Sequence, residues 1–134
     1  MKKNLGLFLA ICIAMLSFGC SETQEQDIAS VKLEGNMATV ELVGNPTTGY
    51  NWDYTMSPAG VVREVSSDYI PDKTDENVAG SGGKFVFTFE AVSAGEAELV
   101  FSYFRPWETD IPALEIVTYR AVVDDKENLT LTKK

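Results

Sequence analysis

Apolar and polar residues alternate with a period of two along most of this chain, from Ile28 to Val123. Glycine, proline or charged residues interrupt the alternation at short intervals. Successive side chains of a β-strand point to opposite faces, so the pattern predicts short strands that each bury one face. The positions expected to face inward are Val31 and Leu33; Ala38, Val40 and Leu42; Tyr50, Trp52, Tyr54 and Met56; Phe85, Phe87 and Phe89; and Ala97, Leu99, Phe101 and Tyr103.

The pattern predicts about seven strands, with no helix and no internal repeat. The segment 61–70 is a weaker strand than the others, and 116–123 is the last clear one. The polar end, residues 124–134, adds at most a partial strand through Leu129 and Leu131. Short strands separated by turn residues are typical of an antiparallel β-sandwich, so we expect an all-β, Ig-like fold.

The first residues have the features of an export signal rather than of a fold. Lys2 and Lys3 precede an uncharged apolar run, residues 5–18, that is too short for a comfortable membrane span. The run ends just before Cys20, in a sequence similar to the lipid-attachment site of bacterial lipoproteins, although Ser17 stands where leucine is usual. An ordinary secretory signal, cleaved nearby, is the alternative.

These features divide the chain into a predicted lipoprotein-type signal peptide (1–19), a lipidated Cys20 with a polar tether (20–27) and a folded domain (28–134). We expect an exported protein, anchored through its lipid at the bacterial cell envelope, either in the periplasm or at the cell surface. Cys12 lies inside the signal peptide, so Cys20 is the one cysteine expected in the exported chain. No internal disulfide is therefore expected.

Charge and composition exclude several classes of function. Removing Lys2 and Lys3 leaves nine basic and 20 acidic residues, a net charge of 9 − 20 = −11. Nucleic-acid binding needs clustered cations, so it is not expected, and neither is electrostatic binding to a membrane. The chain has no histidine, which excludes Ser–His and Cys–His catalysis, and we expect no enzyme. The acidic loop at 71–79 lacks calcium-loop spacing, so neither a metal nor a cofactor is expected. We expect a monomer.

Three segments between the predicted strands are candidates for function. Asn45-Pro46-Thr47-Thr48-Gly49-Tyr50 contains a proline that fixes φ and a glycine that permits a positive φ, as an ordinary strand connection would. Thr47 and Thr48 are β-branched, however, and such residues are unusual at the tip of a turn. Two of them held between proline and glycine suggest a displayed surface.

The other two segments also have two interpretations each. Gly80-Ser81-Gly82-Gly83 is either a flexible loop or a place where the backbone of another chain can approach closely. Arg105-Pro106-Trp107-Glu108 follows a predicted strand end, with charged residues on both sides of Trp107 and its proline. Its tryptophan is either folded back over the end of the sandwich or exposed for binding, and arginine and tryptophan are enriched in binding hot spots.

Together, and in this order, the three segments resemble the binding loops of the chagasin family, which inhibits papain-like cysteine proteases. Those loops carry an Asn-Pro-Thr-Thr-Gly-aromatic segment, a Gly-x-Gly-Gly segment and an Arg-Pro-Trp/Phe segment on an Ig-like sandwich. The resemblance covers residues 28 to about 123. It implies a reversible, competitive inhibitor whose three loops meet at one end of the sandwich and occlude the protease cleft.

The resemblance also implies a role for each loop. Thr47 and Thr48 would lie beside the catalytic cysteine, the glycine segment along the non-primed side, and Arg105 and Trp107 on the primed side. The residues implied to bind a papain-like cysteine protease are Asn45, Pro46, Thr47, Thr48, Gly49, Tyr50, Gly80, Ser81, Gly82, Gly83, Arg105, Pro106 and Trp107.

A surface-tethered Ig-like adhesion or glycan-binding module is the alternative function. A glycan-binding module would present aromatic side chains on a sheet face or in a groove. The inhibitor interpretation instead requires Trp107 and Thr48 at the same end of the domain.

Overall fold

The structure, a computed structural model, describes residues 27–72 and 82–134. The predicted signal peptide, Cys20, most of the tether, Gly80 and Ser81 lie outside the described residues. The strands are β1 (Ala29–Glu34), β2 (Met37–Gly44), β3 (Asn51–Ser57), β4 (Val62–Pro71), β5 (Gly83–Ala91), β6 (Gly95–Phe104), β7 (Glu115–Val123) and β8 (Leu129–Lys133). Helical structure in these two ranges is limited to one 3₁₀ turn, Pro46–Thr48, between β2 and β3.

The eight strands form two four-stranded antiparallel sheets that pack as a sandwich. The strand order is β1-β2-β5-β4 in one sheet, here called sheet A, and β3-β6-β7-β8 in the other, sheet B. This arrangement confirms the predicted all-β, Ig-like architecture. In residues 27–72 and 82–134, no helix is long and apolar enough to cross a membrane.

The alternating stripes of the sequence form the core between the sheets. Phe101 lies at its centre, with its ring centroid 5.4 Å from that of Phe87 and 6.0 Å from that of Tyr119. The buried apolar residues all lie between Ala29 and Leu131. Residues 27–134 therefore contain a complete hydrophobic core, enough for one domain of this size.

Two details differ from the sequence prediction, both at sheet edges. Leu33 was expected to face inward, but it is 49% exposed, because it lies near the end of β1, an edge strand that has a neighbour on one side only. The polar end of the chain forms a full strand, β8, rather than a partial one. Leu129 and Leu131 are buried there and pair with Val123 and Ala121, so two leucines are enough to fix the strand.

The strand register brings three connections to one end of the sandwich. In sheet A, Gly44 and Pro71 both pair with Gly83, so the β2–β3 and β4–β5 connections leave side by side. In sheet B, Asn51 pairs with Phe104, which brings the start of β3 to the start of the β6–β7 connection. This end is called the loop end below.

Candidate functional site: three loops at one end of the sandwich

The first loop, residues 45–50, is closed by its own hydrogen bonds. The Asn45 side-chain oxygen accepts from the Thr47 N–H (3.1 Å) and the Thr47 hydroxyl (2.6 Å). The Asn45 carbonyl accepts from the Thr48 N–H (3.2 Å) and the Thr48 hydroxyl (2.6 Å). Gly49 ends the 3₁₀ turn at φ 85°, and its N–H donates to the Pro46 carbonyl (3.0 Å). Asparagine, proline and glycine each stand where a short helical turn favours them.

This bonding leaves a defined surface at the tip of the first loop. Thr47 and Thr48 are exposed, whereas Asn45 and Pro46 are half-buried. The backbone N–H groups of Thr47, Thr48 and Gly49 and both threonine hydroxyls donate within the loop. The tip therefore presents methyl groups and oxygen lone pairs on a turn that already has one shape.

Two aromatic side chains of sheet B hold the base of the first loop: one bonds to the loop itself, and the other joins sheet B to β2 just before the loop. The Asn45 N–H donates to the Tyr103 hydroxyl on β6 (2.9 Å), and the Trp52 indole N–H on β3 donates to the Val43 carbonyl on β2 (3.0 Å). Tyr103 stacks on Trp52 at a centroid distance of 4.9 Å and lies 5.2 Å from Tyr50. Tyr103 was predicted only as a core residue. Its place at the last inward position of β6, two residues before Arg105, is the signal that could have assigned it to the site.

The third loop, residues 105–114, is joined to the first loop by Arg105. Its Nε–H donates to the Thr48 carbonyl (3.1 Å), and its Nη1 donates to the Glu108 carboxylate (3.0 Å). Its guanidinium carbon lies 4.4 Å from the centroid of the Tyr50 ring, within cation–π range. The Arg105 side chain is 35% exposed. One side chain therefore contacts residues of both loops.

Trp107 has features of both of its predicted placements. Its side chain is 66% exposed, yet the indole edge lies against the first loop. A Cβ atom built on Gly49 would stand 2.2 Å from Trp107 Cη2, a distance that no real side chain tolerates. The absence of a side chain at Gly49 thus allows Trp107 to lie on the first loop while its outer surface remains open.

The second loop is the segment 80–83, and its described residues, Gly82 and Gly83, pack closely against neighbouring backbone. Gly83 is buried in β5, and a Cβ there would stand 2.3 Å from the Ile70 carbonyl oxygen. Gly82 is half-buried, and a Cβ there would be 3.2 Å from the Gly44 carbonyl oxygen, just before the first loop. The Gly82 carbonyl accepts from the Asp72 N–H (3.0 Å), which closes the β4–β5 connection where it leaves the sheet.

The structure thus brings eleven of the thirteen predicted binding residues to one end of the domain; the other two, Gly80 and Ser81, lie outside the described residues. Glu108, which was not among the predicted binding residues, is the partner that holds Arg105. Its place three residues after Arg105 matches the spacing of helical ion pairs and was the available signal. Where side chains are described, no group of three or more His, Cys, Asp or Glu is arranged to hold a metal ion.

Comparison with known proteins identifies the family of this domain. The sequence profile described as "Chagasin family peptidase inhibitor I42" matches residues 30–123, which is most of the chain and nearly all of the sandwich. The chain belongs to the chagasin family of peptidase inhibitors. This finding confirms the resemblance seen in the three loop segments. Because the family consists of inhibitors, it also confirms that the chain is not an enzyme.

Individual relatives agree with the family profile. Amoebiasin-1 of Entamoeba histolytica is 32% identical over 88 residues, which are 65% of this chain and 83% of that protein. Chagasin of Trypanosoma cruzi is 31% identical over 77 residues, 54% of this chain and 68% of that protein. The crystal structure of the cysteine protease inhibitor EhICP2 from Entamoeba histolytica has a TM-score of 0.60 and 22% identity. It covers 66% of this chain and 78% of that one, and supports the fold.

Proposed function

We propose that this chagasin-family chain is a reversible, competitive inhibitor of papain-like cysteine proteases that occludes the active-site cleft with its three loops. The observation that carries the proposal is direct contact between the family's loop segments. Arg105 bonds to Thr48, Trp107 lies on Gly49, and Gly82 lies against Gly44 at the base of the first loop. Residues far apart in the sequence thus form one surface at the loop end.

The shape of the first loop suits occlusion without cleavage. Residues 46–48 are wound into a 3₁₀ turn, whose i→i+3 bonds hold the backbone away from an extended conformation. Thr48 offers no backbone carbonyl freely, because that oxygen accepts from Arg105. A closed, internally bonded tip can fill the cleft beside the catalytic cysteine without presenting an extended peptide for attack. Little ordering entropy would be lost on binding, because the loop already has its shape.

Trp107 is the proposed energetic anchor on the protease. It is a large aromatic side chain that is 66% exposed, and it is held at its inner edge by Gly49. Exposed tryptophans at the centre of a binding surface are frequent hot spots, because a rigid ring buries a large area with little loss of rotamer entropy. Its position beside the first loop also argues against the glycan-binding alternative, which would place such a ring on a sheet face.

We also propose, from the sequence, that Cys20 is lipidated and anchors the domain at the bacterial cell envelope. β1 begins at the loop end, where the Ile28 carbonyl accepts from the Val43 N–H (2.8 Å). Residues 21–27, if fully extended, would span at most about 24 Å. The lipid would therefore keep the three loops within about that distance of the membrane surface. Labelling with a fatty-acid probe should depend on Cys20, and equal labelling of a Cys20→Ala variant would contradict the anchor.

Titration of papain and of a cathepsin L-type protease with a protein of residues 21–134 tests the inhibitor proposal. We expect inhibition that raises the apparent KM, leaves kcat unchanged and disappears on dilution. The inhibitor should also protect the catalytic cysteine from alkylation by iodoacetamide, because the loops would cover it. A chymotrypsin-like serine protease serves as the control enzyme and should be unaffected.

Two results would contradict the proposal. One is absence of inhibition at micromolar concentration by a chain with a folded, β-rich spectrum. The other is inhibition that leaves the catalytic cysteine open to iodoacetamide, since a partner bound outside the cleft would not shield it. Binding of a glycan by the same folded chain, together with the first result, would favour the alternative function.

A further inference from the structure

Arg105 directs two of its three guanidinium nitrogens, Nε and Nη1, to residues of its own chain. Its Nε–H is used by the Thr48 carbonyl and its Nη1 by Glu108, while its flat face lies over Tyr50. Glu108 is itself only 20% exposed, so its carboxylate is held close to the loop surface. A side chain that contacts three residues of its own chain is poorly placed to act first as a ligand for a partner.

Other interactions between the first and third loops are limited. In the described ranges, the backbone hydrogen bonds of the first loop run from Thr48 to Asn45 and from Gly49 to Pro46, and that of the third-loop turn runs from Glu108 to Arg105. Each of these bonds stays within its own loop. Besides the Arg105 contacts, the two loops meet through the edge of Trp107 on Gly49. Strand pairing and the Tyr103 hydroxyl fix the bases of the two loops, whereas their tips are joined by the side chains of Arg105 and Trp107.

We propose that Arg105 is a positioning residue, which holds the first and third loops together in the binding shape before the protease arrives, rather than a residue that contacts the protease. The role in inhibition rests on the proposed function, whereas the joining of the loops can be measured without a protease. Arg105 fixes Thr48 through the carbonyl and keeps the Trp107 segment against Gly49. Its partner Glu108 takes part by fixing the guanidinium.

The proposal predicts a particular kinetic pattern. If the loops separate without Arg105, only a fraction of molecules has the binding shape, and the apparent affinity falls in proportion to that fraction. The loss should appear mainly in the association rate. Removing a direct contact would act mainly on the dissociation rate, as most interface substitutions do.

Three variants of the 21–134 protein separate these possibilities. Arg105→Met removes the charge and the hydrogen bonds but keeps an unbranched, apolar side chain. Glu108→Gln weakens the hold on the guanidinium but makes the net charge less negative, whereas Arg105→Met makes it more negative. If Arg105 acts by charge steering, the two variants should change the association rate in opposite directions. If Arg105 positions the loops, both variants should lower it. Arg120→Met is the matched control, because Arg120 also pairs with a glutamate, Glu96, at the other end of the sandwich.

Loop geometry is read without protease from the NMR shifts of the Gly49 α-protons. One of them occupies the direction of the missing Cβ and points at the Trp107 ring, so it should be displaced from its random-coil position. We expect Arg105→Met to reduce that displacement by about half or more and to lower the association rate about tenfold, with less than about a threefold change in dissociation. Glu108→Gln should also reduce the displacement and should lower the association rate about threefold. Arg120→Met should change neither the displacement nor the association rate.

Several outcomes would overturn the proposal. Unchanged Gly49 shifts in a folded Arg105→Met protein would show that the loops stay together without the arginine. A faster dissociation rate with an unchanged association rate would assign Arg105 to direct contact. Faster association of Glu108→Gln would indicate charge steering. If the unmodified protein inhibits no papain-like protease, the proposed function fails, and the Gly49 shifts still decide whether Arg105 joins the loops.

Discussion

The glycines at the two ends of the sandwich serve different physical purposes. At the end opposite the loops, a Cβ atom added to Gly35 (φ 60°) or Gly60 (φ 97°) would meet nothing within 4 Å, so these glycines are required for backbone conformation alone. At the loop end, Gly83 and Gly49 stand where a Cβ would approach other atoms at 2.3 Å and 2.2 Å. Of these four glycines, Gly49 alone combines a positive φ with such a close approach.

This difference shows that local backbone conformation requires the glycines at one end, whereas contacts between distant segments require them at the loop end. The opposite end needs short connections that reverse the strands, and local backbone preference is enough for that. The loop end brings together segments from three different connections, so its glycines are required by neighbours that are distant in the sequence. Substitutions at the two ends should therefore have different consequences, which the following predictions measure.

The largest effect on stability is expected for Gly83→Ala. The added methyl would meet the Ile70 carbonyl, and neither it nor the paired strands β4 and β5 can shift freely. We expect the free energy of unfolding to fall by about 3 kcal/mol, as for other overpacked sites. Denaturant titration measures it. Gly35→Ala, which adds strain in open space, is the matched variant and should cost about 1 kcal/mol. If Gly83→Ala and Gly35→Ala lost the same free energy of unfolding, the close contact at Gly83 would have no effect beyond backbone strain.

The largest effect on function is expected for Trp107→Ala. The side chain is exposed, so folding should be kept, while inhibition should weaken at least about tenfold, corresponding to about 1.4 kcal/mol or more. The inhibition constant against papain is the measurement. Val92→Ala removes another exposed apolar side chain (47% exposed) next to the β5–β6 turn at the opposite end and should leave inhibition unchanged. Unchanged inhibition by folded Trp107→Ala would remove Trp107 from the mechanism.

A smaller effect is expected for Gly49→Ala, compared with Gly60→Ala. Both substitutions place a side chain at a positive φ and should cost about 1–2 kcal/mol of stability from backbone strain. Only the first also displaces Trp107, so it alone should weaken inhibition, by about fivefold. The measurements are the free energy of unfolding and the inhibition constant of Gly49→Ala and of Gly60→Ala. If Gly60→Ala weakened inhibition as much, the effect would come from general destabilisation rather than from the Trp107 contact.

The smallest effect concerns the β7–β8 turn at the opposite end. The backbone N–H of Asn128, then its side-chain amide, and the N–H of Lys126 donate to the Asp124 carboxylate and hold its pKa below the ordinary value of 3.8. Because the folded-state pKa is lowered, the carboxylate stabilises the fold above the unfolded pKa, and this contribution is lost as the pH falls through the folded pKa.

The measurement is the free energy of unfolding as a function of pH for the unmodified chain and for Asp124→Ala. The gap between the two should be constant above about pH 5 and shrink below about pH 4. Inhibition at neutral pH should be unchanged, since the turn is distant from the loop end. Asp125→Ala, in the same exposed turn, is the control. A gap that stays constant down to about pH 2 would show that the carboxylate charge contributes nothing.

The sequence by itself determined the architecture and the candidate loops. Strict alternation along the strands that carry Phe87, Leu99 and Phe101 is a local property, and each of these side chains is buried as the alternation predicts. The cap formed by Asn45, Pro46 and Gly49 is also local, since each residue favours its position in the turn. The family resemblance rested on such short segments, and the match over residues 30–123 confirms it.

Only the tertiary structure decided how the loop residues act on one another. Arg105 lies 57 positions from Thr48 in the sequence, and their bond exists because the register of β3 on β6 brings both loops to one edge. The same register places the Trp107 ring on Gly49 and the Tyr103 hydroxyl on the Asn45 amide. Alternation predicts which face of a strand is buried, but a contact between loops depends on strand pairing and sheet packing, which are long-range properties. Local residue preferences contain no information about them.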